Sequence, residues 1–271
     1  MIRACVPIYW PLAQASSGDE VFVMLFKAKY RTRMAENEAE LISAQQLRYR
    51  AFIAEGGTDA GQLALDRDAF DDICCHMLVE EIKTGKIVAT FRMLALGSGA
   101  EIELSYSAQY YDLERLKEYD GPMVEIGRFC VEPGIVDPEI LRSAWGAVTR
   151  LVDQDGIELL FGCSSFKGTD AEGYMDAFAM LKEKHLAPKR WLPKIKAPKV
   201  FQFAKRLRRQ PDKANALRTM PPLLRSYLTM GGWVSDHAVV DQKLNTLHVF
   251  TGLEIGRIPP ARARALRAVA D

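Results

Sequence analysis

Hydrophobic and polar positions along this chain switch between a period of two and a period near 3.6, and the switches outline alternating strands and helices. "VFVMLFKAKY" (21–30) predicts a first strand. In residues 36–54, Leu41, Ala44, Leu47, Ala51 and Ile53 fall near helical spacing, and Gly56-Gly57 supply a stop. "CCHMLVEEI" and "KIVATFRML" flank the short "KTGK" segment and predict a β-hairpin. Residues 97–120 are irregular, with a short helix at "DLERLKEY". "MVEIGRFCVEPG" (123–134) then reads as a buried strand. The next helix starts with Asp137 as N-cap and Pro138 at its first position, and Gly156 ends it. "IELLFGCS" is a second buried strand, followed by a helix around "AEGYMDAFAMLKEK". Pro188, Pro193, Pro198 and Pro211 limit the following region to a short helix near "VFQFAKRLRR". "PPLLRSYLTMGG" predicts a last helix, and "WVSDHAVV" and "TLHVFTGLEI" a closing pair of strands. The whole is a mixed α/β domain with a central sheet flanked by helices. We place an N-terminal extension at 1–20, the domain at 21–260 with a basic insertion at 184–218, and a basic tail at 261–271.

Composition changes this picture little and charge changes it more. The chain has 271 residues, 48% of them hydrophobic and 26% charged, which is ordinary for a globular protein. Its longest apolar runs are strand-sized, far short of the ~18 residues of a spanning helix. The N-terminus makes a poor signal peptide, so a cytoplasmic protein is expected. Five cysteines, odd in number and without CxxC spacing, read as reduced thiols and give no zinc framework. No metal site is expected. Cys163 reads as a small buried hydrophobe rather than a nucleophile. The net charge of +1 conceals an asymmetry: between Lys184 and Arg218 stand twelve Lys or Arg and one acid, Asp212. Trp191, Val200, Phe201 and Phe203 interleave with these cations, a mixture suited to an anionic partner.

The candidate chemistry lies in "MVEIGRFCVEPG". Glu125 and Arg128 interrupt an apolar strand, and a buried ion is costly unless it is paired or used. In a regular strand the two would face opposite ways. Gly127 between them suggests a bulge that turns both toward one cavity, where free backbone N–H groups could stabilise an oxyanion. An ordinary ion pair at a sheet edge is the competing reading, and spacing alone leaves both open.

"LRYRAF", "DRDAFD", "ATFRML" and "EIGRFCV", in that order and spacing, resemble the acyl-homoserine-lactone synthases, which have a GNAT-like acyltransferase fold. The continuation "MPPLLRSYLTMGGWVSDHAVVDQKLNTLHVFTGLEI" resembles instead the L-ornithine Nα-acyltransferases of ornithine-lipid synthesis, over roughly residues 20 to 260. That resemblance implies transfer of a 3-hydroxyacyl chain from acyl carrier protein to the α-amine of L-ornithine. The acyl-4'-phosphopantetheine arm is then a co-substrate, and no other cofactor is needed. It implies Glu125 as the base, with Arg128 beside it in the catalytic set. Arg48, Asp68, Asp71, Arg92, Gly127 and Phe129 become substrate-binding positions. Arg128 or Arg92 could hold the acceptor carboxylate, and the Asp66–Asp72 cluster could attract its side-chain ammonium unless it is merely a solvated loop. In acetyl-CoA-using members of the superfamily a glycine-rich loop follows this strand; "EPGIVDPEILRSAW" has no such pattern. Lys205, Arg206, Arg208 and Arg209 are expected to dock the acidic carrier protein or an anionic membrane surface at the inner face of the membrane, and not nucleic acid. The alternatives are an acyl-homoserine-lactone synthase, an N-acyltransferase for another amino acid, or a non-catalytic lipid- or nucleic-acid-binding module.

Overall fold

The computed structural model describes residues 28–54 and 64–270. Strand β1 (Tyr30–Met34) precedes helix α1 (Glu38–Phe52), which is capped by the Asn37 side chain accepting from Glu40 N–H. The expected hairpin follows as β2 (Cys75–Glu81) and β3 (Lys86–Leu96). The irregular stretch contains three 3-10 turns and the short strand β4 (Tyr111–Asp112). Then come β5 (Met123–Val131), α2 (Pro138–Asp155), β6 (Leu159–Lys167) and α3 (Met175–Lys184). The basic segment carries β7 (Lys194–Ile195), β8 (Val200–Phe201), α4 (Phe203–Arg206) and α5 (Lys213–Thr219). The chain closes with α6 (Pro222–Thr229), β9 (Trp233–Val234), β10 (Ala238–Asp241), β11 (Thr246–Glu254) and α7 (Pro260–Ala270).

Three expectations shift. The first strand lies at 30–34, overlapping the expected 21–30 only at Tyr30, and residues 21–27 are outside the described ones, as are the Gly56-Gly57 stop and the 1–20 extension. Its sequence "YRTRM" hides a strand because its outward positions are charged: Arg31 and Arg33 both donate to Glu80 on the neighbouring strand. The basic segment holds a second short helix, α5, whose N-cap Asp212 accepts from Ala214 and Asn215 N–H. Residues 260–270 are helix rather than tail. They pack on α2, where Arg267 pairs with Asp153.

The main sheet runs β1-β2-β3-β5-β6-β11-β10-β8, with β9 on β11, and every pairing is antiparallel except β5–β6. That parallel pair is joined through α2, whose Trp145 and Val148 pack with Phe91, Val124 and Ile126 from one face of the sheet. Leu94, Leu96, Met123 and Phe161 share a second cluster with Ile102, Tyr111 and Leu116 from the irregular 97–120 stretch. That stretch is therefore not a loose connection: it covers the face on which Glu125 lies.

Candidate active site

The β5–β6 ladder stops after three pairs, Met123↔Leu159, Val124↔Leu160 and Glu125↔Phe161. Beyond Glu125 the strands splay, while β3 and β11 remain paired on their outer edges. Backbone groups on the two facing edges are left without ladder partners, in a fold where such groups are almost always satisfied. Gly162 stands at the fork. A Cβ there would lie 2.2 Å from the Ile126 carbonyl oxygen, so only glycine lets the strands touch before they diverge. The resulting cleft has a volume of about 1310 Å³. Glu125, Gly127, Arg128 and Phe129 line it from β5, and Cys163 to Lys167 from β6. Residues from the start of α2, from α6 and from the β10–β11 hairpin close its other sides.

A bulge does turn Glu125 and Arg128 to one side, but Gly127 does not make it. Gly127 pairs regularly with Arg92, and the register slips between Arg92↔Gly127 and Thr90↔Cys130, so Phe91 faces both Arg128 and Phe129. Arg128 itself takes the left-handed φ of 52°. The slip is visible in the core: Val124 and Ile126 share the α2 face with Phe129 and Val131, so the alternation has moved by one residue. Arg128 thereby joins Glu125 on the other face. Gly127 has a different consequence, since a Cβ there would meet nothing within 4 Å and project into open space at the cleft wall.

Glu125 is 4% exposed and held by three donors from the 97–120 stretch. Oε1 accepts from Ser107 N–H (2.8 Å) and Ser107 Oγ (2.6 Å), and Oε2 accepts from Tyr106 N–H (2.8 Å). Burial pushes its carboxyl up from the usual glutamate value, against the pull of the Ser107 and Tyr106 hydrogen bonds. The same Ser107 hydroxyl lies 3.4 Å from Cys163 Sγ. Burial, with Glu125 nearby, pushes that thiol up as well, so Cys163 is no thiolate nucleophile.

Behind the cleft, the arginines and aspartates form one buried ionic cluster. Arg48 is fully buried and donates to both oxygens of Asp71 and to the Asp66 carbonyl. Arg92 bridges Asp68 (2.5 Å) and Asp71 (3.3 Å), and Arg128 bridges Asp66 (3.3 Å) and Asp68 (3.0 Å). Burial opposes the charge on Asp68, but Arg92, joined by Arg128, outweighs it and holds the carboxyl at about 2. Asp66, Asp68 and Asp71 are paired with arginines rather than free in solvent, and Arg92 and Arg128 already have carboxylate partners. Arg128 also lies over the Tyr106 ring, 5.2 Å from its centroid, which locks it beside Glu125.

Of the expected site residues, Glu125, Gly127, Arg128, Phe129 and Arg92 line the cleft, and Arg48, Asp68 and Asp71 support it from behind. Lys205, Arg206 and Arg208 are exposed and make no ion pair among the described residues, whereas Arg209 is tied to Asp176 at 2.6 Å. Sequence reasoning missed Tyr106 and Ser107, which sit in a stretch without periodicity. It also passed over Gly162, which a glycine inside a strand could have signalled. Asp137 caps α2 and accepts from Lys29 (2.6 Å) and Tyr30 (3.0 Å). The helix N-terminus facing the cleft is thus filled by a paired carboxylate.

The splayed parallel strand pair fits the GNAT acyltransferase fold, and the family model for the acetyltransferase (GNAT) domain matches residues 47–146. The L-ornithine Nα-acyltransferase of Rhodobacter capsulatus is 33% identical over 231 residues, which is 81% of this chain and 88% of that protein. Those of Brucella abortus and Rhizobium meliloti are 30% and 31% identical, over 90% and 85% of this chain and 90% and 82% of their own lengths. The chain belongs to the L-ornithine Nα-acyltransferase family. It is an acyltransferase, and the binding-module alternative falls away. Among solved structures, the CoA-dependent acyl-homoserine lactone synthase BjaI aligns over 89% of this chain and 88% of its own, with 13% identity and a TM-score of 0.47. FeeM, an N-acyl amino acid synthase from uncultured soil microbes, aligns over 89% and 96%, with 10% identity and a TM-score of 0.43. Among the described residues, no helix is long and apolar enough to cross a membrane.

Proposed function

We propose that this chain transfers a 3-hydroxyacyl group from acyl carrier protein to the α-amine of L-ornithine, giving lyso-ornithine lipid, with Glu125 as general base. The observation that carries the reading is Glu125 itself, a buried carboxylate fixed by three donors at the fork of the cleft. An ammonium is no nucleophile, so the acceptor must first lose a proton. Glu125 Oε2 keeps a second lone pair for it, and its raised pKa brings it closer to the amine in basicity. The neutral nitrogen attacks the thioester carbonyl, and unpaired backbone N–H groups on the splayed strands stabilise the oxyanion. The C–S bond then breaks, the second amine proton goes to the departing thiolate, and Glu125 releases its proton to solvent. Ile135, Leu141 and Leu223 give the cleft an apolar wall suited to the acyl chain.

The capped α2 N-terminus supports a carrier-protein donor. Asp137 occupies the place where backbone N–H groups would otherwise receive a diphosphate. Exposed Lys205, Arg206 and Arg208 suit the acidic surface of that carrier protein, and they could equally meet an anionic membrane surface at the inner face of the membrane. E125Q is expected to lower kcat by about 10²–10⁴-fold with acyl carrier protein and ornithine as substrates. Circular dichroism should confirm the fold, because the Gln amide must face one backbone N–H. Near wild-type turnover would refute the base assignment.

A further inference from the structure

The β10–β11 hairpin brings to the cleft a second set of buried polar groups that the proposed reaction has not used. Asp241 is 5% exposed and lines the cleft. Its Oδ1 accepts from Lys243 N–H (2.9 Å) and Leu244 N–H (3.1 Å), which fixes the carboxylate, while its buried Oδ2 has no partner. His248 also lines the cleft, is 2% exposed, and has an unpartnered Nε2. Its tautomer follows from Tyr111, whose hydroxyl donates to the His248 carbonyl at 2.7 Å. The contact of that hydroxyl with Nδ1 at 3.1 Å therefore requires Nδ1 to be the donor, leaving Nε2 a bare acceptor. Burial pushes the ring down to about 4, against the pull of Asp241, so it is neutral at physiological pH.

Two buried acceptors without donors, one of them a carboxylate, are costly to leave unsatisfied. They suit a ligand that is cationic and rich in N–H groups. The two polar sites share one cleft: Cys163 lies within electrostatic reach of both Glu125 and Asp241. The Tyr110 ring packs against His248 (5.0 Å) and Tyr106 (5.3 Å), whose N–H holds Glu125.

We propose that Asp241, with His248 beside it, holds the side-chain ammonium of the acceptor amino acid and so selects a diamino acid. This rests on the reading of L-ornithine as acceptor given above. The test compares L-ornithine with L-norvaline, the same carbon skeleton without the terminal amine, in the wild-type protein and in D241N, with acyl carrier protein thioester as donor. Asn keeps the Oδ1 acceptor for the two hairpin N–H groups and removes the charge. The wild type should prefer ornithine. In D241N, kcat/KM for ornithine should fall roughly ten- to hundredfold, mainly through KM, while that for norvaline falls far less. A wild type that prefers ornithine beside a D241N variant that keeps the preference would overturn this assignment alone. Equal use of the two acceptors by the wild type would overturn it whether or not the variant folds. A wild type that acylates other amino acids but not ornithine would overturn the proposed function and this assignment together.

Discussion

Two regions of this molecule concentrate charge, and they treat it in opposite ways. Behind the cleft, Arg48, Arg92 and Arg128 meet Asp66, Asp68 and Asp71, with Arg48 and Arg92 almost wholly buried. In the 184–218 segment the cations outnumber acids twelve to one, and all twelve cations are exposed. The smaller cluster is charge-balanced and internally paired, and the larger is unbalanced and open. Burial, not the number of charges, decides whether a charged group serves architecture or remains available to a partner.

Removing one arginine from the cluster should have the largest effect. R48A leaves Asp66 and Asp71 short of a partner in the interior, so a loss of about 3–5 kcal/mol in denaturant unfolding is expected. A loss below ~1 kcal/mol would mean that the cluster is hydrated and that the contrast with the basic segment is false. Acid should reveal the same cluster next. Asp68 is held at about 2 and Asp71 is also lowered, burial being outweighed by Arg92 and Arg48 respectively. Their folded pKa values lie below the ordinary value near ~3.9. Their contribution is therefore fully present above pH ~4 and lost as pH falls toward 2. D68N should flatten that acid limb in pH-dependent unfolding.

Glu125 carries the opposite sign, because burial raises its folded pKa. Its protonated form is favoured in the fold, so its contribution to stability declines as pH rises through that raised value. Activity runs the other way: kcat/KM should fall as pH drops through a pKa above the ordinary glutamate value, and E125Q should lack this limb. A limb at or below the ordinary value would assign it to another group. The smallest structural effect belongs to the basic segment. Reversing Arg206 and Arg208 should leave the unfolding midpoint where it is while raising KM for acyl carrier protein. An unchanged KM, with lost binding to anionic vesicles, would move the docking role from carrier protein to membrane.

Much of the architecture was legible in local pattern. The α1, α2 and α6 helices, the β2–β3 hairpin and both splayed strands lie where periodicity, caps and turns put them, because those signals are carried by neighbours in the chain. β1 escaped because its outward residues are arginines whose partner, Glu80, is 47 and 49 positions away. The α7 helix escaped because its apolar stripe is short, Leu266, Val269 and Ala270 between arginines, and it is supported by packing on α2.

The residues of "EIGRFCV" by themselves determined that a buried strand would carry a carboxylate and a guanidinium, and their family pattern pointed to acyl transfer. Tertiary structure decided which way each faced, through a slip at Arg128–Phe129 that no local rule located. It also decided what surrounds them: Tyr106 and Ser107 on Glu125, the aspartates on Arg128, and Asp241 with His248 in the same cleft. The physical reason is range. Periodicity and capping act over a few residues, whereas the cost of a buried charge is met by whatever groups the fold brings near, however distant they are in the chain.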